Sequence, residues 1–245
     1  PGKIYDTPKF LPAGDKYMLI EFGNIMNLEL NFTAQNLAKA IKDHKIRGVY
    51  ETSPCFASMI VHYEPDEIKF NDLKKELFSL IESLGPSDEI EINSRVFSFP
   101  TVYLDKWTKE CIEDYSNKIA KKKPDPELIT ELNNLENTDQ FVRVHSSTEY
   151  WVAAIGFWPG LPFMMALDPR CKLTVPKYNP PRTWTPKGTV GMGGASTCIY
   201  PDRLPGGYQI FGIIPVPIWD TNKSFPVFEN NICLFQPGDR VKFVP

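Results

Sequence analysis

The 245-residue sequence lacks the features that mark membrane, secreted and nucleic-acid-binding proteins. No apolar run approaches the ~20 residues that span a bilayer, and the N-terminus has no charged-then-apolar signal layout. The five cysteines are scattered without a CxxC pair, which favours a reducing cytoplasm over a disulfide framework. The net charge of -3 comes without a dense basic patch, so nucleic acid is not an expected partner. We expect a cytoplasmic protein with no membrane partner, and the opening Pro-Gly indicates a trimmed or processed end.

Standard catalytic motifs are missing as well. The sequence contains no GxSxG, HExxH, P-loop or GxGxxG pattern. Its three histidines are spread over roughly a hundred residues, which argues against a zinc site. Cys171 and Cys198 could act as nucleophiles, although unpaired cysteines of this kind are more often structural. The sequence therefore predicts no metal site and no complete set of acid, base and nucleophile.

The most distinctive stretch runs from Gly156 to Gly212 and is dense in glycine, proline and aromatic residues. Proline breaks the hydrogen-bond ladder of a helix and glycine weakens it, so this stretch cannot form one long helix. Its aromatic side chains provide ample apolar surface to bury, which argues against disorder. We predict compact β structure with tight turns, a setting in which binding groups are often displayed.

The first part of the chain predicts an α+β domain over residues 1–94. Asn31 or Thr33 is a candidate cap for its first helix. Alternating strands and helices favour a small sheet with helices packed on one face. The strand-like and helical patterns follow one another at Lys16–Phe22, Asn31–His44, Ser58–Tyr63 and Asp72–Leu84.

Residues 95–245 predict a second, mainly β domain with a helical insertion at about 105–137. A strand at Arg95–Tyr103 leads into the insertion, whose two helical patterns are broken by Pro124 and Pro126. The insertion also contains the run Lys121–Lys123, which is more typical of a solvated loop tip than of a specific anion site.

The chain after the insertion predicts strands joined by turns. Asn133–Asn137 has the composition of a turn, and residues 146–149 (SSTE) form a candidate capping box. That box predicts one helical turn before a strand at Trp151–Ile155. Near the end, Pro237–Phe243 predicts a turn followed by a closing strand.

The strongest candidate site lies at residues 177–182 (KYNPPR). Lys177 and Arg182 are two cations beside a proline-stiffened backbone, suited to a carboxylate or bicarbonate-like group. Tyr178 and Asn179 add neutral hydrogen bonds that could stabilise a developing oxyanion. The residues alone slightly favour the alternative, a surface loop with ordinary exposed charges.

Three further features leave alternatives open. His145 is a candidate general base, and a hydrogen-bonded structural histidine fits about equally well. Asp168 is a second candidate base, but an aspartate before proline also starts turns. Gly193 and Gly194 could present backbone N–H groups to an anion, although a turn or bulge is the commoner interpretation.

Five motifs stand in the C-terminal half: GFWPGLPF at 156–163, DPR at 168–170, PKGTVGMGG at 186–194, IYP at 199–201 and PGGY at 205–208. The N-terminal half adds AGDKYMLIEFG at 13–23, GVYE at 48–51 and SMIVHYEP at 58–65. Together they resemble the allophanate hydrolase subunit 1 family, also called the carboxyltransferase C/D-subdomain family. That family includes the 5-oxoprolinase B subunit, the sporulation-kinase inhibitor and the carboxyltransferase part of urea carboxylase. The resemblance covers nearly the whole chain.

Within this family the sequence is a mosaic. The segment KYNPPRTWTP at 177–186 is similar to the urea carboxylase version, and so are the inserted helices around Trp107–Leu135. The segment GFWPGLPF at 156–163 is closer to the smaller bacterial subunits. The resemblance therefore indicates a reaction class without fixing the substrate.

The resemblance implies both a fold and a function. The fold is a small N-terminal α+β domain followed by a cyclophilin-like β-barrel. The function is that of an enzyme subunit that pairs with a homologous subunit 2, supplied as a separate polypeptide. Carboxybiotin, carried on another chain, would pass its carboxyl group to a urea- or amide-like nitrogen. Biotin carboxylase and biotin carrier chains are then further candidate partners, and the chain itself carries no covalent cofactor.

The resemblance also implies roles for individual residues. Lys177, Tyr178, Asn179 and Arg182 would bind the carboxyl group and polarise the ureido oxygen of biotin. Either Asp168 or His145 would assist as a base, unless the released biotin enolate takes the proton. The substrate- and biotin-binding positions that it implies are Phe157, Pro159, Gly160, Pro162, Phe163, Gly193, Gly194, Tyr200, Gly206 and Gly207.

Two alternatives remain within the same family. One is the B subunit of an ATP-dependent 5-oxoprolinase, a lactam amidohydrolase, in which ATP is needed only at the level of the whole system because no nucleotide motif is present here. The other is a binding protein that inhibits a histidine kinase, a narrow branch for which the segment at 177–186 is unnecessary.

Overall fold

The computed structural model describes residues 2–85 and 92–245, and the chain divides into two compact units, Pro1–Asn93 and Ser94–Pro245. The helical pattern predicted at Asp72–Leu84 lies wholly within the described residues. Among the described residues, none of the helices combines the length and apolar character needed to cross a membrane.

The first unit is a four-stranded antiparallel sheet with two helices. The strand order is β1-β2-β4-β3, so β1 and β3 are the edges. The alternating burial of β2 and β4 supplies one apolar face of the sheet, and the helices cover that face. The elements are β1 (Ile4–Pro12), β2 (Tyr17–Gly23), α1 (Leu28–His44), β3 (Val49–Cys55), β4 (Ser58–Tyr63) and α2 (Phe70–Ser83).

The first helix begins earlier than its sequence pattern predicts. Its cap is Asn27, whose side chain accepts a hydrogen bond from the backbone N–H of Leu30 at 3.1 Å. Asn31 and Thr33, the predicted caps, lie inside the helix, which corrects that prediction. The amide of Asn31 instead donates to the carbonyl oxygen of Phe56 at 2.9 Å and so ties the helix to the β3–β4 hairpin.

The second unit is built on an eight-stranded sheet in the order β5-β12-β7-β8-β10-β9-β11-β6. All its strand pairs are antiparallel except β5 with β12. The strands are β5 (Val96–Pro100), β6 (Val102–Tyr103), β7 (Glu149–Ile155), β8 (Pro162–Ala166), β9 (Thr189–Gly193), β10 (Ser196–Ile199), β11 (Gln209–Ile213) and β12 (Arg240–Val244).

This sheet curls until it is nearly closed. Its two edge strands, β5 and β6, are separated in the chain by Thr101 alone. The backbone N–H of Thr101 donates to Val244 on β12 at 2.8 Å, and that of Leu104 donates to Phe211 on β11 at 2.8 Å. The sequence pattern predicts one strand at 95–103; the structure divides it at Thr101 into the two ends of a barrel.

Three helices precede β7: α3 (Lys106–Lys118), α4 (Asp125–Leu132) and α5 (Thr138–Ser146). The two predicted helical patterns are confirmed as α3 and α4. Pro126 does not break α4, because it lies in the first turn of that helix, where a backbone N–H has no intrahelical partner to lose. The predicted single turn at 146–149 is wrong. A nine-residue helix capped by Asn137 ends there instead.

The core of the second unit lies between the curled sheet and these helices. Phe141 of α5 and Phe211 of β11 are both fully buried and pack edge to face with ring centroids 4.9 Å apart. The predicted closing strand is confirmed as β12, and its Val241 and Phe243 also belong to this core. The fold is therefore a mixed α/β structure with a barrel-like sheet in one unit and a smaller sheet with helices in the other.

Candidate functional site

A cavity of about 370 Å³ opens in the second unit. Most of its wall is apolar or aromatic, and Lys177 is the one charged side chain among the described residues that line it. Such a site combines an apolar surface with a single strong hydrogen-bond donor, as small-molecule sites often do. The lining residues are Phe157, Leu161, Phe163, Lys177, Pro181, Cys198, Tyr200, Pro205, Gly206, Gly207 and Tyr208.

Two backbone segments form one side of this cavity by pairing with each other. The N–H of Tyr178 donates to the carbonyl oxygen of Gly207 at 2.6 Å. Arg182 and Gly206 exchange both of their backbone hydrogen bonds, at 2.9 and 3.1 Å. The predicted site segment at 177–182 is therefore fixed against the PGGY motif at 205–208, although the two are separate in sequence.

The absence of a side chain at Gly193 allows Lys177 to lie along the cavity wall. A Cβ atom at this position would stand 2.6 Å from the ring of Tyr208 and 2.9 Å from Cγ of Lys177, closer than real side chains approach. The ammonium group of Lys177 is 5.2 Å from the centre of the Tyr208 ring. Lys177 itself is exposed, so its charge is available to a ligand.

The loop at 156–161 bounds another side. Phe157 adopts a left-handed backbone conformation with φ of 64°, which is uncommon for a residue other than glycine. Its side chain is 68% exposed although it lines the cavity. An exposed aromatic ring on a strained backbone at a cavity mouth is typical of a ligand-contacting position.

Arg182 and Tyr178, by contrast, point into a buried polar cluster and not into the cavity. Arg182 is only 2% exposed, and its guanidinium donates to the carbonyl oxygen of Tyr208 at 2.6 Å and to Thr185 Oγ1 at 3.2 Å. The hydroxyl of Tyr178 donates to the carboxylate of Asp125, which sequence reasoning missed. Burial raises the pKa of Tyr178 well above its ordinary value.

Lys122, from the lysine run, belongs to the same cluster. Its ammonium group donates to Asp125 and, at 2.6 Å, to Oε1 of Gln209 on β11. The side chain is only 18% exposed, and burial lowers its pKa. The prediction of a solvated loop tip is therefore wrong for Lys122, while Lys121 and Lys123 are exposed as predicted.

The two candidate bases lie apart from the cavity. His145 is fully buried in the barrel core, where Nδ1 is 2.8 Å from the Tyr103 hydroxyl and burial lowers its pKa to about 3. Asp168 caps a short 3-10 helix at Pro169–Cys171 and pairs with Arg170, which lowers its pKa to about 2. These placements favour the structural interpretation of both residues.

Half of the implied binding residues are brought together. Phe157, Phe163, Tyr200, Gly206 and Gly207 line the cavity. Gly193 borders it through Lys177 and Tyr208. The remaining positions, Pro159, Gly160, Pro162 and Gly194, and the exposed Asn179 are not among the described lining residues.

Two further kinds of site concern groups of possible metal ligands and the thiol of Cys198. Within residues 2–85 and 92–245, no group of three or more His, Cys, Asp or Glu side chains is arranged to hold a metal ion. Cys198 lines the cavity, but burial raises the pKa of its thiol far above the ordinary value. The burial of this thiol favours the structural interpretation of Cys198.

Comparison with known proteins identifies relatives of two kinds. The urea amidolyase of Lachancea kluyveri is 32% identical over 253 residues, which include all of this chain but only 14% of that protein. The 5-oxoprolinase B subunit of Bacillus subtilis is 28% identical over 241 residues, covering 94% of this chain and 90% of that subunit. The chain thus spans about one seventh of the amidolyase and nearly all of the bacterial subunit.

The fold has solved counterparts. The urea carboxylase of Kluyveromyces lactis superposes with a TM-score of 0.86 over 99% of this chain and 23% of that one, at 26% identity. The family model described as carboxyltransferase domain, subdomain C and D, matches residues 8–228, which cover most of both units. The chain therefore belongs to the carboxyltransferase subdomain C and D family.

Proposed function

We propose that this chain is one subunit of a carboxyltransferase-type enzyme that passes a carboxyl group from carboxybiotin to a urea- or amide-like nitrogen. It would act together with a homologous subunit 2. The observation that carries the proposal is the apolar, aromatic cavity with Lys177 as its one described charged residue. That arrangement suits a small ring system with an apolar side that also bears a carboxylate or a polarised carbonyl oxygen.

The chemistry of the wall fits the biotin head group. Phe157, Phe163 and Tyr208 give the cavity an aromatic lining, and the cavity volume is typical of small-molecule sites. A lysine ammonium holds a carboxylate by a charge-assisted hydrogen bond. Carboxybiotin, when bound, would supply the activated carboxyl group, while Lys177 would orient it and stabilise its charge.

Tyr178 and Arg182 have a different role in this proposal from the one that their sequence suggests. Their side chains face the buried cluster, so they hold the segment that carries Lys177. Asn179 is exposed and is the remaining neutral donor of the segment. Because the described lining contains no carboxylate or imidazole, the proton of the acceptor nitrogen must pass to the substrates or to a group from a partner chain.

The need for a partner follows from what the cavity holds. This chain can orient the ligand and stabilise its charge. The described lining residues include no carboxylate or imidazole that could act as a general base. Several relatives are much longer, and the chain spans 13% of the Saccharomyces cerevisiae urea amidolyase. We infer that the missing groups come from subunit 2, with biotin carboxylase and a biotin carrier completing the system.

A second candidate is the B subunit of an ATP-dependent 5-oxoprolinase. It is favoured by length, because the chain covers 90% of the Bacillus subtilis protein of that name. A 5-oxoproline molecule carries a carboxylate on a small lactam ring, which the same cavity and Lys177 could accept. ATP would then be used by the whole system.

The test is to purify the chain from its source with the proteins that accompany it and to assay both reactions. Urea carboxylation is followed with labelled bicarbonate and ATP, and lactam opening with 5-oxoproline and ATP. Lys177→Ala should lower kcat/KM of the active reaction by about 10- to 100-fold, as expected for loss of a charged hydrogen bond. Lys172→Ala, at an exposed lysine outside the cavity, is the matched control.

The outcome separates the alternatives. Carboxylation sensitive to Lys177→Ala supports the first proposal, and lactam opening with the same sensitivity supports the second. Equal kcat/KM for the Lys177→Ala and Lys172→Ala complexes would rule out the cavity as the reaction site.

A further inference from the structure

Asp125 is a fully buried carboxylate at the start of α4. It accepts hydrogen bonds from the Tyr178 hydroxyl, the Lys122 ammonium group and, at 2.7 Å, the backbone N–H of Ile210. Nη1 of Arg182 lies 3.9 Å from its Oδ2 atom. One side chain from the helical insertion therefore contacts both segments that border the cavity.

The contacted residues stand directly beside cavity residues in the chain. Tyr178 follows Lys177, whose charge faces the ligand space, and Ile210 lies on β11 shortly after Tyr208. Both contacts are with atoms that cannot shift far, since one is a backbone amide and the other belongs to a buried ring. The carboxylate is thus a tie between the 177–182 segment and the start of β11.

The ring of Tyr178 is held from several sides. Lys122 Nζ lies 3.7 Å from its centre, the Arg182 guanidinium lies 4.4 Å from it, and the ring of Tyr115 on α3 meets it edge to face at 4.6 Å. The Tyr115 hydroxyl also donates to the carbonyl oxygen of Pro180 at 2.7 Å. Helices α3 and α4 together therefore clamp the segment that carries Lys177.

We propose that Asp125 is a positioning residue of the cavity: its carboxylate fixes the 177–182 segment against β11, and the helical insertion supplies that carboxylate to the site. The inference deepens the proposed function, on which its ligand-binding arm rests. The helical insertion would then help to position the cavity wall as well as contribute to the hydrophobic core.

Charge and position predict opposite effects on ligand affinity. The cluster contains one carboxylate and two cations, so Asp125→Asn makes it more positive by one charge. If Asp125 acted through its charge alone, that variant would bind an anion more tightly. If Asp125 positions Lys177, the variant binds an anion more weakly in spite of the added positive charge.

The experiment uses the purified complex with Asp125→Asn, Tyr178→Phe and Glu127→Gln. Tyr178→Phe removes a single hydroxyl and serves if Asp125→Asn folds poorly. Glu127 is exposed on the same helix, so Glu127→Gln removes an equal charge as a control. Amide hydrogen exchange is followed in peptides covering 177–182 and 206–210, with β7 as internal reference. Binding of d-biotin and of 5-oxoproline, and KM in the active reaction, are measured alongside.

Asp125→Asn and Tyr178→Phe should each speed amide exchange in both cavity peptides at least tenfold, while exchange in their β7 peptide stays at the wild-type rate. In the Glu127→Gln complex all three peptides should exchange at the wild-type rate. Asp125→Asn should also weaken binding of the 5-oxoproline anion and raise KM, each at least tenfold. Unchanged exchange at 177–182 overturns the inference, and so does tighter anion binding. If wild-type protein binds neither probe, the proposed function fails while the exchange result still decides the role of Asp125.

Discussion

The hydroxyl oxygen of Tyr200 occupies the space that a side chain at Gly206 would need. A Cβ atom at position 206 would stand 2.1 Å from that oxygen and 2.7 Å from the nearest ring carbons. Both residues line the cavity, and Tyr200 is 3% exposed, so its ring has little room to move away. The glycine is thus required by close packing at the cavity wall.

Gly206→Ala should therefore disturb the cavity. Forcing a methyl group into a packed wall typically costs about 1–3 kcal/mol, through displaced side chains and backbone. We expect a lower free energy of unfolding in urea and weaker binding of d-biotin or 5-oxoproline, because Tyr200 must move into the ligand space. Gly207→Ala is the control, since its Cβ would have no neighbour closer than 3.4 Å. Similar binding by the two variants would contradict this account.

Gly193→Ala should act on Lys177 more directly. The new methyl group would meet the Lys177 stem at 2.9 Å and the Tyr208 ring at 2.6 Å, so the lysine must take another path. We expect kcat/KM in the assembled enzyme to fall severalfold or more and the free energy of unfolding to fall by about 1–3 kcal/mol, because the buried Tyr208 ring must shift as well as the exposed lysine. Because Tyr208 is displaced too, Lys177→Ala/Gly193→Ala should lose less kcat/KM than the two single variants together, and a fully additive double variant would argue against this coupling.

The sequence predicts the central strands and amphipathic helices well, and the edges poorly. Strands β2 and β4 have clear alternation, whereas β1 and β3 were not predicted as strands. Both unpredicted strands contain proline and lie at the edges of their sheet, where a missing N–H removes no ladder hydrogen bond. Their pairing depends on neighbours that local sequence does not reveal.

The site shows the same limit. Lys177 and Arg182 look equivalent in sequence, yet one is exposed at the cavity and the other is buried. What distinguishes them is Asp125, which lies 53 residues before Tyr178 and reaches the segment only once the helices pack on the barrel. The motifs include residues that line the cavity, but tertiary contacts decide that Lys177 lines it and that Arg182 is buried.

His145 should make the protein less stable in mild acid. Its pKa is about 3 in the folded state and about 6.5 in an unfolded chain, so the unfolded state binds the extra proton first. Its contribution to stability is complete above pH 6.5 and is lost as the pH falls toward 3, by about 1.4 kcal/mol per unit. Urea unfolding of wild-type protein and of His145→Gln between pH 7 and 5 should show this slope only in the wild type. Tyr103→Phe keeps the imidazole and should keep the slope, and a slope surviving in His145→Gln would assign it to other groups.

Cys198 should behave as part of the wall and not as a nucleophile. The thiol is 1% exposed, and burial raises its pKa, so almost no thiolate is present at neutral pH. Iodoacetamide should modify the exposed Cys55 well before Cys198, as peptide mapping by mass spectrometry would reveal. Cys198→Ala removes only the sulfur atom and should keep kcat within a few-fold of wild type, with a modest loss of stability from the small space left. Loss of kcat by several orders of magnitude in that variant, with its fold intact, would instead make the thiol part of the chemistry and Lys177 an accessory to it.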